Sequence, residues 1–286
     1  PFGNLLPSAH AIEREYRILQ ALNRVAYPTP RVVALCEDTS VIGAAFYVMQ
    51  MVEGRIFEDI RLPAEGRDER AAIYDAQLSA AAALHRLDPV AIGLGDFGRP
   101  GSYFERQISR WRRQVSQSEI TPIPTMIRLG EWLASATPPE GAVRIVHGDF
   151  KLDNMVMHAE APEIVAVLDW ELATLGDPLS DLGYMLMPRV APPNERNNFD
   201  GVDLDAWGAP SIERAVERYV QLGGPEPRAP MSWYFAFNLY RLAAITQGIA
   251  ARHLAGNASS DKAALAHTRI APLAEAAWRQ AIATGA

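Results

Sequence analysis

Twice in the middle of the chain an apolar strand runs straight into a carboxylate. The first case is Val146-His147-Gly148-Asp149-Phe150-Lys151-Leu152-Asp153-Asn154, where a strand ends, a polar loop follows and a new strand begins at Met155. The second is Val165-Ala166-Val167-Leu168-Asp169-Trp170. A strand-end carboxylate facing a cleft is expensive to desolvate without a cation or a hydrogen-bonded partner. Two such carboxylates with Asn154 invite a hard, oxygen-binding cation such as Mg²⁺.

The rest of the composition restricts the alternatives. With 286 residues, 49% of them hydrophobic, the chain can bury a sizeable core as one large domain or as two lobes. A net charge of −7 implies no basic face, so no nucleic-acid partner is expected, whereas ATP can still bind through Mg²⁺. The six histidines are scattered, and none forms a ligand-spaced pair. Cys36 is the one cysteine. It allows no internal disulfide, and after Val32, Val33, Ala34 and Leu35 it reads as a buried strand residue. That usage fits a reducing, cytoplasmic setting. No apolar run approaches the roughly 18 residues of a membrane span, so no membrane partner is expected. No signal peptide opens the chain. Pro1 is not a natural start, and further residues are expected upstream. Lysine is scarce: only Lys151 and Lys262 occur.

The patterning predicts α+β architecture with segregated strands and helices. Ser8 is placed as the N-cap of a helix reaching Asn23, with Ile12, Tyr16, Leu19 and Leu22 as its apolar stripe. Pro28 and Pro30 end it. Two β-like runs follow, Arg31 to Cys36 and Ala44 to Val52, joined through a polar turn at Gly43. Glu53-Gly54 breaks the pattern, and a lobe boundary is placed there. Residues 1–52 are then the remainder of an N-lobe with its hinge, and residues 53–286 form a helical C-lobe. A helix is predicted from Asp68 to Leu87, then a loop over 88–101. Ser102 with Glu105 has capping-box spacing and opens a helix carrying Trp111 among Arg110, Arg112 and Arg113. That cluster reads as a solvated face with one anchored Trp, or else as a substrate or phosphate contact. A helix over 122–136 and short strands at Ala142 to Val146, Met155 to Met157 and Ile164 to Leu168 come next. Helices are predicted over 178–188, 211–222, 230–255 and 260–283, with a polar, acidic, irregular insert from Pro192 to Pro210.

Phosphoryl transfer needs an oriented hydroxyl relieved of its proton, a metal bridging phosphate oxygens and a cation offsetting the moving charge. Asp149, Lys151 and Asn154 supply these from one loop, and Asp169 supplies a second metal ligand.

His147-Gly148-Asp149 with Asn154, then Leu168-Asp169-Trp170, Gly176-Asp177-Pro178 and Ser180-Asp181-Leu182, resembles the aminoglycoside phosphotransferase and choline kinase superfamily. Members share the bilobal protein-kinase fold, with a small N-lobe sheet plus helix and a large, mostly helical C-lobe. The order of catalytic Asp, Asn and metal-binding Asp matches kinase signatures. His-Gly-Asp and Asp-Trp-Glu stand in place of His-Arg-Asp and Asp-Phe-Gly, which points to small-molecule kinases. Gly3-Asn4-Leu5-Leu6-Pro7-Ser8-Ala9-His10 with Glu13-Arg14-Glu15-Tyr16 resembles the kinase-like domains linked to acyl-CoA dehydrogenases.

The resemblance implies ATP and Mg²⁺ as cofactors, Asp149 as catalytic base, and Asn154 and Asp169 as metal ligands. It places Lys151 near the γ-phosphate and Met49, Gln50 and Val52 in the hinge that receives adenine. A helix glutamate pairing with a strand lysine is also required. Glu15 is chosen over Glu13 because it lies beside the apolar stripe. No lysine precedes Lys151 and no Gly-rich loop precedes Ser8; the family carries both upstream of this helix. The acceptor is a small-molecule alcohol, aminoglycoside-like or hydroxyacyl-type. The rival reading is an inactive pseudokinase that binds nucleotide or acts as a scaffold. His147 is expected to brace the loop, Asp153 to be solvated or capping, Asp177 to cap a helix and Asp181 to hold the loop backbone. The aromatic run Trp233 to Arg241 reads as core packing, with substrate contact as the alternative that the resemblance implies.

Overall fold

The computed structural model describes residues 12–99, 101–193, 195, 197–255 and 265–286. The expected N-cap Ser8 and the start of the last predicted helix, at 260, lie outside the described residues.

Helix α1 (Ile12–Arg24) buries Ile18, Leu19, Ala21 and Leu22 and exposes the opposite face. Helical spacing of apolar residues places them on one stripe, and burying that stripe is what holds a short helix in water. The helix end is stitched to the following strand by Asn23. Its amide nitrogen donates to Thr29 Oγ1 at 2.9 Å, and its oxygen accepts the Val32 N–H at 3.0 Å. Strands β1 (Val32–Cys36) and β2 (Phe46–Met49) pair antiparallel. Cys36 is half-buried at the end of this two-stranded ribbon, not buried as its apolar neighbours suggest, because a two-stranded sheet covers only one of its faces.

Helix α2 (Arg67–Arg86) carries a run of alanines between Ile73, Tyr74, Leu78 and Leu84, all buried. Helices α3 (Tyr103–Gln117) and α4 (Pro124–Ser135) follow. Next come strands β3 (Arg144–Val146), β4 (Met155–Met157), β5 (Ile164–Val167) and β6 (Thr174–Gly176). The pairs are β3 with β6 and β4 with β5, both antiparallel. Strand β6 was not anticipated. The chain then forms α5 (Leu179–Leu186), the single turn α6 (Leu204–Trp207), α7 (Ile212–Gln221), α8 (Met231–Leu254) and α9 (Ala266–Ala283). The insert read as irregular therefore contains α6, capped by Asp203, whose side chain accepts the Ala206 N–H at 3.1 Å.

Of the described residues, 12–99, 143–181 and 203–226 pack as one compact unit. In it α2 lies against α7, and the six strands of the described residues are present. Residues 101–142, 182–193, 195, 197–202, 227–255 and 265–286 pack as a second unit, dominated by α3, α4, α8 and α9. There Phe104 meets Trp233 at 4.9 Å and Phe237 at 5.1 Å, both edge-on. Burying a Phe of this kind contributes roughly 1.5–3 kcal/mol. The aromatic run of α8 is thus core, as read.

The capping box expected at Ser102 does not form. Ser102 adopts left-handed backbone with φ 48°, and its side chain makes no cap bond. A capping serine needs extended backbone to aim its oxygen at the helix. Instead the Ser102 N–H donates to Glu140 Oε1 at 2.6 Å. Among the described residues no helix is long and apolar enough to cross a membrane.

Candidate active site

The loop after β3 is built around two buried groups. His147 is completely buried. Its Nδ1 accepts the Asp149 N–H at 3.2 Å, and its Nε2–H donates to the Leu168 carbonyl at 2.8 Å. One nitrogen accepts and the other donates, which is the pattern of a neutral imidazole. Burial, the dominant influence, pushes its pKa down, which agrees. Asp181 is the second group. Its carboxylate accepts the His147 N–H at 2.7 Å and the Gly148 N–H at 2.9 Å. Burial alone would raise its pKa; His85, His147 and the Gly148 amide outweigh that and hold it below the usual carboxylate range. His85 Nε2 lies 3.4 Å from Asp181, and His85 Nδ1 lies 2.7 Å from the Tyr219 hydroxyl. Asp181 was read as holding the loop. His85 and Tyr219 were missed, although a histidine between Leu84 and Arg86 on an apolar helix face already calls for a buried partner.

Gly148 takes φ 89°, and a Cβ there would stand 3.0 Å from the Leu172 carbonyl oxygen. Only glycine fits both conditions without strain. The turn that follows presents Asp149, whose side chain is 18% exposed. Asn154 Nδ2 donates to the Asp149 carbonyl at 2.9 Å and to Asp149 Oδ2 at 3.0 Å. Lys151 Nζ sits 3.3 Å from Asp149 Oδ2 and 3.3 Å from Asp153 Oδ2. Partial burial works against the ammonium, but Asp149 and Asp153 prevail and raise its pKa, so Lys151 is a cation. Asp153 is therefore an ion-pair partner and not the solvated or capping residue expected. Its other oxygen, Oδ1, is buried without a hydrogen-bond partner among the described residues.

Asp169 is carried to this loop by strand register. Met155 faces Val167 across the β4–β5 pair, and one step further the Leu168 N–H donates to the Asn154 carbonyl at 2.8 Å. Asp169 itself leaves the strand with left-handed backbone, φ 65° and ψ 60°. Asp tolerates that region better than bulkier residues do. Trp170 is buried just behind it, with its indole N–H bonded to Val167 O at 2.9 Å. Glu15 comes from α1 into the same neighbourhood. Burial foremost raises its pKa; the negative charges of Asp169 and Glu171 add to this, while a hydrogen bond with Tyr47 opposes it. Burial and Glu15 together also push the Tyr47 phenol up. Glu13, the alternative, is exposed.

The structure thus brings Asp149, Lys151 and Asn154 together, sets Asp169 one residue beyond a bond to Asn154, and leaves Glu15 near enough to Asp169 for their charges to interact. Met49 and Gln50 are exposed at the end of β2, and Val52 is half-buried. No hydrogen bond ties these three to the loop among the described residues; the Gln50 N–H is committed to Arg31 O at 2.8 Å.

The donor chemistry fits a divalent oxygen-binding ion. Because the Asn154 nitrogen is held by Asp149, its amide oxygen is the end left to face a ligand. Among the described residues no three His, Cys, Asp or Glu side chains gather into a metal cluster.

Comparison with known proteins identifies a family and a fold. The sequence model of the phosphotransferase enzyme family matches residues 4–220. The chain is 41% identical over 280 residues to mouse acyl-CoA dehydrogenase family member 10, covering 97% of this chain and 26% of that protein. A crystal structure of a proposed aminoglycoside phosphotransferase from Ralstonia eutropha superposes with a TM-score of 0.92 at 44% identity, over 96% of this chain and 84% of that one. A streptomycin–ATP complex of the aminoglycoside phosphotransferase APH(2″)-IIa shares the fold at a TM-score of 0.57 and 14% identity, over 90% of this chain and 78% of that one.

Proposed function

The chain belongs to the phosphotransferase enzyme family and has its kinase-like fold, and from that premise we propose that it transfers the γ-phosphate of ATP to a hydroxyl of a small molecule. Asp149 orients the acceptor hydroxyl and takes its proton on a carboxylate oxygen as the new O–P bond forms and the bond from the γ-phosphorus to the β,γ-bridging oxygen breaks, with ADP as the leaving group. Asn154 holds that carboxylate in place through the 3.0 Å bond to Oδ2. Lys151 presents its ammonium to the migrating phosphoryl group. Asn154 and Asp169 would hold Mg²⁺, which offsets the charge of the phosphate oxygens. Glu15 belongs to the nucleotide side of the site, in the position where kinases pair a helix acid with a phosphate-orienting lysine. The carbonyl of Gln50 and the amide of Val52 would bond adenine, with Met49 beside them, at the hinge that closes an N-lobe ending near residue 52.

The observation that carries this reading is the double role of Asn154. Its side chain restrains Asp149, and its backbone carbonyl fixes the strand end that delivers Asp169. The acceptor belongs to one of two classes, an aminoglycoside-like polyol or a hydroxyacyl compound. Likeness to a protein carrying an acyl-CoA dehydrogenase name favours the second. A cytoplasmic location and a small-molecule partner, without nucleic acid or membrane, complete the proposal.

The test is a panel of hydroxylated acceptors incubated with ATP and Mg²⁺ and scored by ADP release. Acceptor-dependent ADP that disappears in Asp149→Ala is the expected result. Nucleotide binding without acceptor-dependent turnover across both classes would instead favour a pseudokinase.

A further inference from the structure

The basic residues of α3 do not behave alike. The Arg110 guanidinium lies over the Trp111 ring at 5.0 Å. Arg112 and Arg113 are exposed and enter none of the ion pairs found among the described residues. Ser109, Arg112, Arg113 and Ser116 recur at i, i+3, i+4 and i+7, so they share one face of the helix. That face lines a cavity of about 460 Å³ within the second unit.

Two other helices complete the cavity. From α8 comes Tyr240, whose phenol burial pushes up to about 12 while Arg112 acts in the opposite sense. It is therefore a neutral O–H at ordinary pH. From α4 come Met126 and Ile127, the latter 52% exposed, as an apolar wall. Gly130 on the same helix leaves the necessary space: a Cβ there would stand 2.7 Å from Tyr240 Oη and 3.0 Å from Arg112 Cγ. Among the described lining residues Glu119 is the one carboxylate, set against two guanidinium groups. A locally cationic hollow in a chain of net charge −7 runs against the general trend.

We propose that this cavity is a binding site for a small organic phosphate, a phosphate monoester bearing an apolar group. Each guanidinium offers a rigid fork of N–H donors suited to two oxygens at once. Two forks with two serine hydroxyls and a phenol exceed what a single carboxylate can accept, whereas three terminal phosphate oxygens can engage them. The apolar wall receives the organic group. The site stands on residues of α3, α4 and α8 alone, so it does not depend on the phosphotransfer reading.

Isothermal titration with hexyl phosphate, inorganic phosphate and hexanoate tests it, comparing the unmodified protein with an Arg112→Gln/Arg113→Gln double variant. Binding of phosphate elsewhere is common to both proteins and cancels in the comparison. Hexyl phosphate is expected to bind more tightly than either other probe, and to weaken by about tenfold or more in the double variant, as loss of charge-assisted bonds dictates. Gly130→Ala, which fills the space beneath Tyr240 and Arg112 without altering charge, should weaken it as well. Equal affinity of the double variant and the parent, or no measurable heat with hexyl phosphate, overturns the site. Equal binding of hexanoate overturns the phosphate assignment, and equal binding of inorganic phosphate overturns the role of the apolar wall.

Discussion

His147 donates from Nε2 to the Leu168 carbonyl across 2.8 Å, and so fastens the strand end before Asp169 to the loop that carries Asp149. With its other nitrogen it receives the Asp149 amide. A single uncharged ring therefore sets the spacing of the two carboxylates on which the proposed chemistry depends.

Replacing His147 with Ala should leave the Leu168 carbonyl and the Asp149 amide unpaired beside a new cavity. Destabilisation of about 2–4 kcal/mol is expected from the lost bonds and the lost volume. Urea denaturation measures it. Unchanged stability would mean that the ring is not the brace described.

Stability should also respond to acid in two stages. His147 and Asp181 both have folded pKa values below their ordinary ones. For such groups the unfolded chain binds protons more readily, so their stabilisation is present above the ordinary pKa and is lost as pH falls. Unfolding free energy should decline as pH drops below about 6.5 on account of His147, and more steeply below about 3.8–3.9 on account of Asp181. His147→Gln should remove the upper stage and keep the lower one, reduced, because His85 and the Gly148 amide still hold the Asp181 carboxylate down. A stability profile that is level from pH 7 to pH 5 in the parent protein would contradict the first stage.

Asp149→Ala should lower kcat by roughly 10²–10⁴-fold, the ordinary contribution of a general base. Nucleotide affinity should change little, since the carboxylate faces the acceptor in the proposed reaction. Single-turnover phosphate transfer and nucleotide titration separate the two effects. A variant retaining most of its turnover would remove Asp149 from the role of base.

Gly148→Ala should cost about 1–3 kcal/mol, because φ 89° is strained for any L side chain and the new methyl meets the Leu172 carbonyl. Thermal unfolding checks this, with Gly43→Ala as the comparison: that glycine shares φ 89° but has open space around it. Similar losses at both positions would show that backbone conformation alone accounts for the effect.

The parts of this site that the sequence disclosed are those made locally. Asp149, Lys151 and Asn154 lie within one loop, so their spacing already dictates that they meet. Asp169 could be placed because β4 and β5 are joined by a short turn. Helix α1 was legible from its stripe, and that same stripe distinguished Glu15 from Glu13. What escaped was made at a distance or in too few residues. The three residues Thr174–Gly176 become a strand only because β3 lies alongside. Tyr219 reaches His85 from 134 positions away, which no periodicity reports. Ser102 carried a correct capping signature, but a left-handed backbone and Glu140 overrode it. Asp153 looked like a surface residue until its side chain was found 3.3 Å from Lys151.

The buttress behind the loop has a further consequence, in the order of synthesis. Asp149 and Asn154 leave the ribosome first, Asp181 later, and Tyr219 only 70 residues after Asp149. At bacterial and eukaryotic elongation speeds that delay is on the order of 4–14 seconds. A nascent chain halted short of Tyr219 carries every residue of the loop yet lacks the hydroxyl that seats His85 against Asp181.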